Sequence, residues 1–453
     1  MNIFQRIFSR PKRQEQKRFF KAAAINDLLA DWLRQEKSIN DDLKNGVLER
    51  LWARARDLYQ NNPYFARYVQ LVAQNVLGPN GFQLRVKLDT RGTGDPQNIA
   101  DYKQRVQRGF LEWIDRADVD KHTWYEVQRL CLNLLTIYGE GFIVFGENKT
   151  TFQVLSPIFC PPVNLERTIE RRKYTFVLGV GMSADGRKMY RFVDARQGEV
   201  FVPAERVVHF FVKDFPEQVR GYPKAASVMI ALHHLSGYEE AELVAARIAS
   251  AKMGFYIVQN PGEVIADSQY GDGTLVDEVS PGQFVQLPPG VDVKTFDAQH
   301  PKTTFAEFQK AILRSVASGL GISYVSLAND LESVNYSSAR VGMLEEREFY
   351  KTMQKIFVEK VLNPIFWTWY DRGVQLGTFD RQNVEPVWTG RRWDWVDPLK
   401  DAQALRSMLD LGLTTFSDVL AQQGKDFEEH LEDIRLEKQK MKEKGIILPF
   451  GYE

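Results

Sequence analysis

The sequence predicts an α+β protein, predominantly helical, and three observations carry that prediction. Apolar residues recur at helical spacing through both ends of the chain, residues 151–212 change to a two-residue alternation, and Gly, Pro, Asn and Asp punctuate the joins. Across 453 residues, 59 Lys and Arg balance 59 Asp and Glu; 44% of the chain is hydrophobic and 26% charged. That composition builds a core and excludes the disordered and collagenous classes. A net charge of zero argues against clamping nucleic acid along a basic stripe, though not against nucleic acid as a passing ligand. The most apolar stretch, residues 130–145, is interrupted by Asn133, Gly139, Glu140 and Gly141 and falls short of the ~20 apolar residues of a bilayer span, so no membrane partner is expected. Cys131 and Cys160 stand far apart with no CxxC, which predicts reduced buried thiols in a reducing compartment.

The first 21 residues are basic, with Arg6, Arg10, Lys12, Arg13, Lys17, Arg18 and Lys21 against Glu15. They read either as a phosphate-binding arm or as a solvated terminus; no apolar run follows them, as a signal peptide would require. Residues 26–78 are a helical region, broken at Asn61-Asn62-Pro63 and closed by Gly78-Pro79-Asn80-Gly81. A strand is expected over 82–88, helices over 98–115 and 123–138, and strands over 142–146, 151–155, 174–180, 189–193, 199–202 and 207–212, with a hairpin turn at Asp185-Gly186. A long helix should open at Pro223 and run toward Lys252. Ala241, Ala245 and Ala249 give it a flat face, suited to a close neighbour or to ordinary packing within one chain. A small β excursion over 260–301 precedes a helix over 303–319. A loop follows over 319–334, then a long helix capped by Asn335 and kinked at Pro364. Three helices close the chain. Asp397 caps the first with Pro398 at its start, and Gly412, Gly424 and Gly445 take C-terminal positions.

Chemistry is harder to find. There is no GxxxxGK[ST], HExxH or GxSxG; Gly424-Lys425 has no partner glycine at the P-loop offset. His233 and His234, adjacent on a helix, point about 100° apart and cannot chelate one ion from that helix alone. The acidic runs at Glu239, Glu240, Glu242 and at Glu345, Glu346, Glu348 read as solvated helix faces. No catalytic residue, metal site or cofactor is assigned, and the residues favour a structural or assembly protein over an enzyme.

Several segments, in order, resemble the lambda-type portal protein family of tailed bacteriophages. Arg54-Ala55-Arg56-Asp57-Leu58 with Asn61-Asn62-Pro63, then Asn75-Val76-Leu77-Gly78, is similar to the family's opening helices. Tyr138-Gly139-Glu140-Gly141-Phe142, Gln153-Val154-Leu155, Asp185-Gly186-Arg187, Val202-Pro203-Ala204 and Val207-Val208-His209 look like its β-rich core. The most specific run is Gln218-Val219-Arg220-Gly221-Tyr222-Pro223, followed by Leu320-Gly321-Ile322-Ser323-Tyr324 and Asn335-Tyr336-Ser337-Ser338-Ala339-Arg340. Trp395-Val396-Asp397-Pro398-Leu399-Lys400-Asp401, with Gly412-Leu413-Thr414-Thr415 behind it, completes the series. The chain departs from the family at Asp214-Phe215, at Gly181 and in ending at Glu453, which bears on tail contacts and leaves the core assignment in place.

The resemblance implies a portal fold of wing, stem, clip and crown, assembled as a cyclic, dodecameric ring of this chain at one capsid vertex. Double-stranded DNA would pass through its channel in packaging and ejection. The terminase large subunit, capsid or scaffold proteins and head-tail connector proteins would dock on it. The virion is the implied location, with the host cytoplasm during assembly. On this reading residues 1–25 are a basic arm, 26–222 the wing, 223–252 the stem helix and 253–302 the clip. Residues 303–320 are the returning stem helix, 321–334 the channel loop, 335–395 a long kinked helix with the wing return, and 396–453 the helical crown region. Asn329, Asp330, Leu331, Glu332 and Ser333 are the candidate channel-loop residues. Polar and acidic lining there would keep DNA, with one negative charge per ~1.7 Å, from sticking. Gln218, Arg220, Gly221, Pro223, Asn335, Tyr336, Ser337, Ser338, Arg340, Asp397 and Pro398 are structural signature positions. The alternatives are another phage head-tail structural protein, such as an adaptor or scaffold, and a nucleic-acid-processing enzyme.

Overall fold

The computed structural model describes residues 37–88, 96–194, 198–250, 254–258, 291–295, 305–332, 336–393, 398–422 and 427–445. The basic segment 1–25 lies outside them, as do Ser333, Asn335, Asp397 and Gly424. The chain opens with α1 (Ile39–Asp42), α2 (Val47–Asn61) and α3 (Pro63–Val76). Leu48, Trp52, Ala55 and Leu58 bury one stripe of α2. The break after α2 has a clear cause: Asn62 turns extended, its side chain accepts from the Phe65 amide, and Pro63 starts the next helix, where its missing N–H costs nothing.

Next come β1 (Gln83–Leu88), α4 (Pro96–Ala117) and α5 (Trp124–Tyr138). Thr123 and Glu126 cap α5 reciprocally, and Gly139, at φ 81°, ends it in the left-handed region. The β-rich block holds β2 (Glu140–Phe145), β3 (Phe152–Leu155), β4 (Leu165–Ile169), β5 (Arg172–Val177), β6 (Val180–Ser183), β7 (Lys188–Asp194), β8 (Gly198–Pro203) and β9 (Val207–Phe211). These strands form a sheet of order β3-β2-β9 and a meander of order β4-β5-β6-β7-β8.

The single strand expected over 174–180 is two strands. Leu178 (φ 51°) and Gly179 (φ 84°) make a two-residue turn between β5 and β6, both in the left-handed region. A leucine there costs about 1 kcal/mol. Leu178 is nonetheless fully buried beneath Leu43, Leu48 and Trp52, which returns about 2 kcal/mol, so packing against α1 and α2 overrides the local preference.

The helix expected from Pro223 begins as a tight 3₁₀ turn at Lys224–Ser227, and α6 proper spans Met229–Ser250. The described part of the β excursion is an antiparallel pair, β10 (Gly254–Val258) with β11 (Val291–Thr295). After it come α7 (Phe305–Leu320), which packs on α6 through Tyr238 against Phe305 and Phe308, and α8 (Tyr324–Ala328). The segment expected to be all loop over 319–334 thus contains a short helix, because the Ser323 hydroxyl accepts from the Ser326 amide and caps it.

The long helix α9 (Tyr336–Phe357) is continued by α10 (Asn363–Gln375), and β12 (Val384–Thr389) pairs with β1. The irregularity expected at Pro364 takes the form of a π turn at Val358–Leu362. Proline there lacks an N–H and crowds the carbonyl four residues back, so widening the turn relieves the clash. Three further helices, α11 (Pro398–Asp410), α12 (Phe416–Gln422) and α13 (Phe427–Glu443), follow, and Gly412 and Gly445 have positive φ as expected at helix ends. The main core is aromatic: Phe110 meets Trp124, Trp369 and Trp388 edge-on at centroid distances of 6.0, 5.5 and 5.8 Å. Both cysteines are free and buried, and no helix of the described residues is long and apolar enough to cross a membrane.

Candidate functional site

Three motifs read separately in the sequence converge at one buried point. Arg220 is 0% exposed, and its guanidinium donates to both Glu140 oxygens, at 2.6 and 3.0 Å. It also donates to the carbonyls of Cys160 (2.8 Å) and Leu178 (2.6 Å). The Trp52 and Phe142 rings flank it, each with its centroid 5.4 Å from the guanidinium carbon. Glu140 accepts further from the Gly221 amide at 2.8 Å and from His209 Nε2 at 2.9 Å. Every charged atom of this group is therefore answered, the condition under which a buried ion pair survives its desolvation cost.

The electrostatics follow from the geometry. Burial pushes the Glu140 carboxyl up, but the Arg220 charge and the His209 hydrogen bond outweigh it and hold the group at about 2. Burial drives His209 down to about 4 despite the attraction of Glu140, so the ring is neutral at pH 7. Nε2 then carries the proton toward Glu140, and Nδ1 accepts from the Tyr190 hydroxyl 3.4 Å away. Burial opposes the Arg220 charge, and Glu140 raises its pKa all the same.

The signature run supplies the frame. Gln218 is buried, donates to the Arg220 carbonyl at 2.7 Å and accepts from the Asp214 amide at 2.8 Å. Gly221 and Gly139 are glycines because their backbones touch: a Cβ on Gly139 would stand 1.9 Å from the Tyr222 carbonyl oxygen, and one on Gly221 2.3 Å from that of Gly139. Pro223 then caps the 3₁₀ turn that leads into α6. The clamp thus fixes the root of α6 on the β-rich block.

A second polar cluster fixes the candidate channel loop. Glu346, expected on a solvated face, is buried and accepts from the hydroxyls of Ser323 (2.9 Å), Ser326 (2.7 Å) and Tyr350 (2.5 Å), pinning α8 to α9. Glu239 likewise accepts from Tyr64 (3.1 Å) and Gln309 (2.7 Å), joining α3, α6 and α7. Asn329, at φ 53°, ends α8. Asp330 accepts from Tyr324 at 2.8 Å and faces Lys310 at 3.3 Å, and these partners hold its carboxyl below the ordinary range. Asp330 therefore leans onto α7, and the exposed tip is Leu331 (69%) and the Glu332 side chain (87%).

Tyr336, Ser337 and Ser338 form the first turn of α9, and Pro398 starts α11. Arg340 bonds Asp401 at 2.6 Å, bringing the two C-terminal motifs together. Sequence reading did not single out Asp118, Asp120 and His122, each of which offers a ligand atom within 4.8 Å of the others. Their D-x-D-x-H spacing was the available signal.

In each cluster the buried polar groups brace one element against another, which defines a structural protein built around a braced helix pair. The chain belongs to the lambda family of phage portal proteins: the family described as "Phage portal protein, lambda family" matches residues 26–354. It is similar to a probable portal protein of Halomonas phage phiHAP-1, 29% identical over 436 residues and covering 89% of this chain and 82% of that one. It is also similar to portal protein B of Escherichia phage lambda, at 22% identity over 83% of this chain and 81% of that one. Among solved structures, a chain from the neck of an empty gene transfer agent particle matches with a TM-score of 0.49 and 16% identity, over 82% of this chain and 93% of that one. As a portal protein, it is a subunit of the ring at a capsid vertex and a component of the virion.

Proposed function

We propose that this ring is the channel through which double-stranded DNA enters the capsid in packaging and leaves in ejection, and that it docks the terminase large subunit and the head-tail connector proteins. The observation that carries the reading is the antiparallel pair α6 and α7, which bears the β10–β11 hairpin at one end and is clamped to the β-rich block at the other. On this reading α6 and α7 are the stem, the hairpin belongs to the motor-facing clip, and residues 321–334 are the channel loop. The ring is a dodecamer, assembled in the host cytoplasm with capsid or scaffold proteins. The chain has no enzymatic activity of its own; divalent-dependent DNA cleavage by the purified protein would count against that.

A heterologous interface that closes on itself is what such a ring requires. End-on electron microscopy of the purified protein, with native mass on the same sample, is expected to give rings with an open axial hole and dodecameric mass. Particles lacking the gene are expected to be empty of DNA, and normal filling in its absence would overturn the channel reading.

A further inference from the structure

The connection between α4 and α5 carries Asp118, Asp120 and His122 on the strand-bearing side of the fold. Asp118 forms a parallel bridge with Phe152 of β3, and Val119 donates to the Phe152 carbonyl at 3.0 Å, so the start of this short segment is held against β3. Lys121, at φ 60°, bends the chain so that His122 returns toward Asp118. The His122 Nδ1 and backbone amide lie 2.8 and 2.9 Å from Asp118 Oδ2, and Asp120 Oδ2 accepts from Gln153 at 3.1 Å. One ligand atom from each of the three residues falls within 4.8 Å of the others.

A histidine–aspartate hydrogen bond accounts for Asp118 Oδ2 and leaves the rest unexplained. The Asp118 side chain is 1% exposed, and its Oδ1 is buried with no hydrogen-bond partner. An unanswered carboxylate oxygen at that depth costs several times what a net hydrogen bond returns, so such atoms are rare unless an ion or ligand answers them. A divalent cation supplies the missing charge, and ligand atoms of Asp120 and His122 already lie within 4.8 Å of one on Asp118.

We propose that Asp118, Asp120 and His122 bind one divalent first-row transition cation, of the Mn²⁺ or Zn²⁺ class, at the junction of α4, α5 and β3. The donor set chooses the class: two carboxylates and an imidazole suit these ions, whereas Mg²⁺ and Ca²⁺ prefer oxygen ligands throughout. The ion ties the end of α4 to the start of α5 across β3. By linkage it stabilises the folded chain whenever its concentration exceeds its dissociation constant.

The test uses the full untagged chain, stripped of metal by chelation and titrated separately with Mn²⁺, followed by the resonance of the free ion, and with Zn²⁺, followed by calorimetry. The expected result is one ion per chain, a rise in thermal midpoint on adding it, and a loss of affinity of about tenfold or more in both Asp120→Asn and His122→Gln. Asp120 is exposed and His122 half-exposed, so both metal-free variants should melt like the metal-free parent. No binding at millimolar ion, unchanged binding in both variants, or a preference for Mg²⁺ over Mn²⁺ and Zn²⁺ would each overturn the proposal.

Discussion

Glu140 lies 69 residues from His209 and 80 from Arg220, in strings that a reader recognises one at a time. Their pairing follows only from the packing of the β-rich block against the start of α6. The consequence is an acid sensitivity with a calculable sign. The unfolded chain protonates His209 near its ordinary 6.5, while the folded chain resists until about 4. Stability is therefore complete above 6.5 and falls as pH drops through that interval. Glu140, at about 2 against an ordinary 4.5, extends the loss from 4.5 downward. Urea midpoints measured from pH 7 to pH 3 are expected to decline in these two stages. His209→Gln should flatten the upper stage and keep the lower, and an unchanged slope between 6.5 and 4.5 in that variant would remove His209 from the account. Pro223 was legible as a helix start from residue type and Gly221 only through the family resemblance, whereas Glu346 was misread as a solvated carboxylate because its hydroxyl partners Ser323 and Ser326 come from another element.

Helix boundaries marked by capping chemistry, such as Asn62-Pro63 and Thr123 with Glu126, stood in the sequence because the cause is local. The turn at Leu178-Gly179 did not, because burial under α1 and α2 decides it. The same distinction governs residues 321–334, where the cap at Ser323 is local but the anchor on Glu346 is not. With α8 fixed to α9 and Asp330 held on Lys310, Asn329, Leu331 and Glu332 are the exposed residues at the described end of the loop, and the Glu332 side chain, 3.9 Å from Lys310, is 87% exposed. A cysteine carrying a photo-cross-linker is therefore expected to capture DNA in stalled particles from Glu332→Cys, and several-fold less from Asp330→Cys. Equal capture from both would mean that the loop leaves α7 during packaging, and capture from neither would take these residues out of the channel.

At the scale of the whole molecule, the chain exposes apolar side chains where a single subunit gains nothing from them. On α6, Leu243 is 62% and Val244 45% exposed, beside Ala241, and α9 presents Val341, Met343 and Leu344 to solvent in the same way. An isolated chain has no reason to keep such a surface, whereas a closed ring offers a neighbouring subunit against which it can be buried. Burying one leucine is worth about 2 kcal/mol, and in a ring that term recurs at every interface. Leu243→Glu should therefore leave the melting of the separated subunit within about 0.5 kcal/mol of the parent, as exposed substitutions do. It should abolish or open the ring, read by native mass and end-on images. Intact rings from that variant would move the subunit interface off this face of α6, and a large loss of subunit stability would show that Leu243 packs within its own chain. The net charge of zero fits the proposed channel, since a conduit for a polyanion would have to hold its own subunits firmly while gripping the DNA weakly.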